Sequence, residues 1–124
     1  MSDRLLDTCV VIDFLRGDSD AREFVQSLDA RPYISAVTLT EIFAGLRSQK
    51  EERIARDFFA ECKVLPLDAA TSERAGVLLR HYGASHNIDV PDALIAATVE
   101  QHGLSLATLN LKHFPMIAKL KRPY

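Results

Sequence analysis

Tryptophan is absent, and cysteine, methionine, glycine and proline are scarce: two Cys, two Met, five Gly and five Pro in 124 residues. Collagen-like and low-complexity chains are excluded, and no Gly/Ser-rich or Pro-rich stretch, repeat or linker divides the sequence. Cys9 and Cys62 form no CxxC pair and offer no zinc-ligand spacing. Free thiols in a chain without a disulfide pattern lead us to expect a cytoplasmic protein. No apolar run approaches the ~20 residues that span a bilayer. Residues 1–7 carry charge and lack the apolar core of a signal peptide. No GxGxxG or Walker A loop is present, so a nucleotide cofactor is not indicated. An excess of one charge is missing too: 15 Lys and Arg face 17 Asp and Glu, a formal −2. That excludes a histone-like, purely electrostatic nucleic-acid binder, while leaving room for a local basic patch.

What is there is an ordinary globular composition, 48% hydrophobic and 26% charged. Residues 1–124 have the size of one domain, able to bury roughly two-thirds of the surface exposed when unfolded. Leu5-Leu6 reads as a short strand ending in Asp7. Helices are expected over Val10–Arg16, stopped by Gly17, and over Ala21–Leu28. Pro32-Tyr33-Ile34 is a brief strand, and Ser35 or Thr38 starts a helix to about Leu46. Lys50–Cys62 is helical with Ile54, Phe58 and Cys62 on one face. Val64-Leu65 is a strand, and Asp68 caps a long helix to about Tyr82. Asp89–His102 is a helix closed by Gly103, and Leu104–Thr108 is the last strand. Short apolar strands alternating with helices predict an α/β fold with a mainly parallel sheet covered on both faces. Such sheets place their sites outside the carboxyl ends of their strands.

Asp7 lies at the carboxyl end of the first strand, and Thr108 and Asn110 at that of the last. Glu41 falls in the first turns of one helix and Asp92 in the first turn of another. The topology therefore gathers Asp7, Glu41, Asp92 and Asn110 toward one rim. Three carboxylates without an intervening Lys or Arg repel one another and call for an outside cation. Hard divalent ions such as Mg²⁺ prefer carboxylate oxygens. An ion held in this way activates water and polarises a phosphoryl oxygen, chemistry suited to phosphodiester hydrolysis. Each acid also fits an ordinary structural role. Thr38 to Glu41 has capping-box spacing, as do Asp89 and Asp92 at a helix start, and Asp7 suits a turn after its strand. Asp13 and Asp68 read as a helix-surface residue and a helix cap.

Four segments resemble the motifs of the PIN-domain family. They are Leu6-Asp7-Thr8, Thr38-Leu39-Thr40-Glu41-Ile42-Phe43-Ala44-Gly45, Pro91-Asp92-Ala93-Leu94-Ile95-Ala96-Ala97-Thr98, and Gly103 to Asn110 followed by His113-Phe114. Their order and spacing span nearly the whole chain, and its compact length resembles the VapC toxins of toxin–antitoxin pairs. The resemblance implies a PIN-like three-layer α/β/α fold and a Mg²⁺- or Mn²⁺-dependent endoribonuclease acting on RNA. It further implies inhibition by a VapB-like antitoxin and a homodimer. Asp7, Glu41 and Asp92 match the family's acidic metal ligands. Asn110 stands where many members have a fourth acid, and Thr8 and Thr108 match positions that orient ligands or water.

Other features carry less. His81, His86, His102 and His113 form no i, i+4 zinc pair and read as surface or capping residues. Cys9 has no basic neighbour to lower its pKa and reads as a small buried hydrophobe. Lys112, Lys119, Lys121 and Arg122 are a solvated tail or a phosphate-contacting edge beside the acids. Two rival functions remain open at this level. One is a receiver-like phosphoacceptor module, which needs a central Asp that Val64-Leu65-Pro66 does not supply. The other is a non-catalytic PIN-fold RNA-binding protein.

Overall fold

Each strand is only three residues long in the computed structural model, which describes residues 3–124. Arg4–Leu6 (β1), Tyr33–Ser35 (β2), Lys63–Leu65 (β3) and Ser105–Ala107 (β4) form a sheet in the order β3-β2-β1-β4. All three pairings are parallel; Leu5 lies opposite both Tyr33 and Leu106. The helices between them are Thr8–Leu15 (α1), Ser19–Gln26 (α2), Ala36–Ala44 (α3), Gln49–Ala60 (α4), Ala69–His86 (α5) and Val90–His102 (α6). A 3₁₀ turn, Leu111–His113, follows β4.

The period-2 alternation of side chains sends neighbouring residues to opposite faces. Leu5 and Leu106 join Ala75, Leu78, Ile95 and Ala96 of α5 and α6. Leu6, Ile34 and Ala107 instead join Val10, Val11, Ile42 and Phe58 from α1, α3 and α4. The result is the expected three-layer α/β/α arrangement. No helix among the described residues is long and apolar enough to cross a membrane.

Several boundaries differ from expectation. α1 starts at Thr8 because the Asp7 side chain accepts from the Thr8 N–H, capping the helix directly at the strand end. α3 starts at Ala36, with Ser35 as its N-cap, so Thr38 lies inside the helix. Gly45 closes that helix with ordinary φ, and a Cβ there would meet nothing nearer than 3.7 Å. α5 continues through Gly83 to His86, where Asn87 takes the left-handed conformation (φ 53). Gly103 (φ 63) ends α6 as anticipated. The buried face of α4 is Ala55, Phe58 and Phe59, and Ile54 is 39% exposed rather than on that face.

Candidate functional site

β1 and β4 are neighbours, so their carboxyl ends deliver Asp7 and Thr108 side by side. The Asp7 N–H donates to the Ala107 carbonyl (2.9 Å), extending the ladder by one bond beyond the strands. Asp7 is 4% exposed and Thr108 is fully buried. Both carboxylate oxygens of Asp7 are engaged. Oδ1 accepts from the Thr8 N–H (2.8 Å), and Oδ2 accepts from Thr108 Oγ1 (2.7 Å) and from the Cys9 thiol (3.5 Å). Thr108 Oγ1 in turn accepts from the Asn110 backbone N–H (3.0 Å). Thr108 thus fixes both the Asp7 carboxylate and the turn that carries Asn110, whose side chain is exposed.

Glu41 reaches the same place from α3. Thr8 Oγ1 donates to Glu41 Oε1 (2.6 Å) and lies 3.0 Å from Thr38 Oγ1. With the Thr8 proton committed to Glu41, the buried Thr38 hydroxyl is the donor in the second bond. The capping-box role of Glu41 is therefore corrected. Thr38 is not the N-cap, and Glu41, in the second turn, bonds to Thr8 across the sheet pole. Thr38 was visible in the sequence only as a residue three positions before Glu41, on the same helix face.

Asp92 enters at the first turn of α6 and belongs to a capping box. Its N–H donates to Asp89 Oδ1 (3.0 Å), and the Asp89 N–H donates to Asp92 Oδ2 (3.4 Å). Asp89 is a cap, as anticipated. His113 Nδ1 lies 3.3 Å from Asp92 Oδ2, joining the start of α6 to the turn after Asn110. His113 is thus a neighbour of the site, not only a surface residue. In the sequence, its place in the fourth family-like segment, three residues after Asn110, was the one pointer to that. Burial, followed by the neighbouring Asp89, pushes the Asp92 carboxyl up to about 7.

Asp7, Glu41, Thr8, Thr38 and Thr108 form one hydrogen-bonded set, with Asn110 attached through its backbone. Asp92 stands on the adjoining helix start, tied to the same turn by His113. Among the described residues no three His, Cys, Asp or Glu side chains group closely enough to hold an ion. The expected convergence is therefore a shared rim and not a finished cage. The donor chemistry nevertheless suits a hard divalent cation. Among the described residues, no Lys or Arg lies within 4.0 Å of Asp7, Glu41 or Asp92. Mg²⁺ keeps several of its waters and needs only one or two protein carboxylates.

Cys9 is half-buried, and burial together with the Asp7 charge pushes its thiol up, so it is no nucleophile. Cys62 is buried and free. Asp68 caps α5, and Asp13 accepts from the Tyr124 hydroxyl (2.8 Å). Lys119, Lys121 and Arg122 do not flank the acids. They line a hollow with Arg4 and Ser105 at the amino ends of β1 and β4, and Lys112 alone stays near Asn110. Beside Glu41 runs a groove of ≈ 220 Å³ with Ile12, Leu15, Leu46 and Ile54 on its walls.

Comparison with known proteins agrees with this geometry. Residues 4–120 match the PIN domain. The chain is 40% identical over 123 residues to Ribonuclease VapC10 of Mycobacterium tuberculosis, covering 97% of this chain and 92% of that relative. A chain of a toxin-antitoxin complex from Klebsiella pneumoniae matches with a TM-score of 0.85 and 27% identity, covering 98% of both chains. A chain of DNA-bound VapBC from Salmonella typhimurium matches with a TM-score of 0.76 and 26% identity, over 98% of this chain and 97% of that one. The receiver-like alternative falls here, since β2 and β3 end in Ser35 and Leu65, where no phosphoacceptor Asp is available.

Proposed function

This chain belongs to the PIN-domain family, and from that premise we propose how it works: as a VapC-type endoribonuclease toxin whose divalent-cation site is built on Asp7, Glu41 and Asp92. It cleaves RNA phosphodiester bonds and is inhibited by a cognate VapB-like antitoxin. In this reading residues 1–124 act as one domain, in the cytoplasm and as a homodimer. The observation that carries the site assignment is the hydrogen-bonded Asp7–Thr8–Glu41 set at the carboxyl pole of the sheet, without a Lys or Arg partner among the described residues.

The residues divide the work by their surroundings. Thr8 and Thr108 hold Asp7 in one orientation, and Oδ1, which accepts a single hydrogen bond, retains a lone pair for a ligand. Glu41 accepts from Thr8 through Oε1, which aims the carboxylate without neutralising it. Burial and Asp89 favour the neutral form of Asp92 when no cation is bound, and a cation held there would favour its charged form, so Asp92 couples ion binding to proton release. The exposed Asn110 amide offers a donor to a phosphate oxygen without adding charge. Mg²⁺ or Mn²⁺, when bound by the acids, would lower the pKa of an attacking water and offset charge on the phosphate. Preorganisation of these oxygens before substrate arrives is the protein's contribution to the rate.

An antitoxin can block such a site by placing an Arg among the acids, a charge-assisted and geometrically specific contact. The groove beside Glu41 suits an apolar segment of that antitoxin and accounts for the exposure of Ile54. Induced expression in a bacterial host tests the reading. Growth arrest is expected, relieved by co-expressing the small protein encoded immediately upstream, and absent for Asp7→Asn. Arrest by a folded Asp7→Asn protein equal to the parent's would remove Asp7 from the site. Full growth with the parent at the same expression level would refute the toxin assignment.

A further inference from the structure

The formal charge of −2 conceals a segregation. All seventeen acids and eleven of the fifteen Lys and Arg residues precede residue 101. From Gln101 to Tyr124 there is no acid, and the cations are Lys112, Lys119, Lys121 and Arg122. The fold lays this segment from one pole of the sheet to the other. Leu111–His113 follows Asn110 at the carboxyl end of β4, and residues 117–123 border the amino ends of β4 and β1. The segment is anchored along its length. Phe114 is 1% exposed, Met116, Ile117 and Leu120 pack against the α5–α6 core, and Tyr124 bonds to Asp13. Its cations are therefore held on a fixed track, which reduces the ordering cost of binding.

At the far end lies a hollow of ≈ 510 Å³ bordered by Arg4, Lys119, Lys121 and Arg122. Among the described residues none of these four has an acidic partner within 4.0 Å. Arg4 Nε is buried with no hydrogen-bond partner, and the guanidinium sits 5.2 Å from the centre of the Phe24 ring. A desolvated donor without an acceptor is costly, and an anion would offset that cost. Asp3 and Asp29 share an adjoining hollow with Arg4, confining the cationic field to the side of the tail. Arg forks match phosphate oxygens, and Lys supplies point charges to the same group.

We propose that this hollow binds phosphodiester groups of the RNA strand at a distance from the cleavage point, with Lys112 joining it to the acidic site. The inference rests on the ribonuclease assignment and narrows the substrate to strands long enough to reach both poles. Three-residue strands are roughly 10 Å long, so the hollow lies a few nucleotides from the acids.

The test measures binding of the full-length protein to a long single-stranded RNA by fluorescence anisotropy, with EDTA present so that divalent-dependent cleavage does not interfere. The combined variant Lys119→Gln, Lys121→Gln and Arg122→Gln should weaken binding by about tenfold or more at ~0.1 M salt, and lower the log–log salt slope by about 2. Arg4→Gln alone should lower it by about 0.7. With Mn²⁺ added, KM for the long RNA should rise while cleavage of a trinucleotide is unchanged. Arg53→Gln with Arg80→Gln, two exposed cations away from the hollow, should leave the slope unaltered. An unchanged slope in the combined variant overturns the proposal, as does an equal loss in the Arg53/Arg80 control. Should the combined variant fail to melt cooperatively, Arg4→Gln decides in the same way. RNA binding without cleavage by the parent would refute the ribonuclease assignment, and the salt slope would still decide the hollow.

Discussion

Replacing Asp92 by Asn should stabilise the protein at neutral pH in the absence of divalent cations. The Asp92 carboxyl is pushed up to about 7 by burial and by Asp89. In the unfolded chain an Asp titrates near 3.9. Between those values the folded state holds a proton that the unfolded state has released, so raising the pH through this window destabilises the fold. Three pKa units correspond to about 4 kcal/mol at most. Solvent screening at a helix start reduces this to about 2 kcal/mol. Asn preserves the shape and can still accept from the Asp89 N–H, which now bonds to Asp92 Oδ2. Urea unfolding at pH 5 and pH 8 in EDTA is the assay. The parent should lose stability over that range relative to Asp92→Asn, and added Mn²⁺ should restore it only in the parent. Parallel pH profiles for the two proteins would refute the reasoning.

Thr108→Val removes a donor to the buried Asp7 carboxylate and the acceptor of the Asn110 N–H. A loss of about 2–4 kcal/mol is expected in urea unfolding, together with slower RNA cleavage; a loss below about 0.5 kcal/mol would show the contact to be incidental. RNA cleavage by the parent at limiting Mn²⁺ should decline as the pH falls below about 7, because protons compete with the cation for the Asp92 carboxylate. A pH-independent rate between 5 and 8 would remove Asp92 from the ion site. At Asn110, calorimetric titration should find one tightly held Mn²⁺ per site in the parent and a tighter second ion in Asn110→Asp. Asn110→Ala should lose less activity than Asp7→Asn, and equal complete losses would make Asn110 a full ligand.

The starts of α5 and α6 were the most legible part of the fold. Asp89 with Asp92, and Asp68 before Thr71, are local signals whose hydrogen bonds are made within one turn. The end of α5 was not legible because Gly83 resembles a stop, whereas Asn87 four residues on takes the left-handed turn. On the expected α4 face Phe58 and Cys62 are buried together, and only Ile54 departs, because the adjacent Ala55 is buried while Ile54 is left to the groove. At the site, Asp7 and Thr108 followed from strand ends in a parallel sheet. The Thr8–Glu41 and Asp92–His113 contacts join residues far apart in the chain, and no local pattern encodes them. The basic tail was legible as charge but not as place, since its position beside Arg4 and Ser105 at the amino ends of β1 and β4 depends on the tertiary fold.

Cleavage of a defined RNA by purified parent and Asp7→Asn proteins, with Mn²⁺, with Mg²⁺ and with EDTA, tests the central claim most directly. The account predicts cleavage by the parent with either ion, none in EDTA, and a loss of at least a thousandfold, about 4 kcal/mol of barrier, for a folded Asp7→Asn protein. Undiminished cleavage in EDTA, or parent-like cleavage by Asp7→Asn, would contradict it.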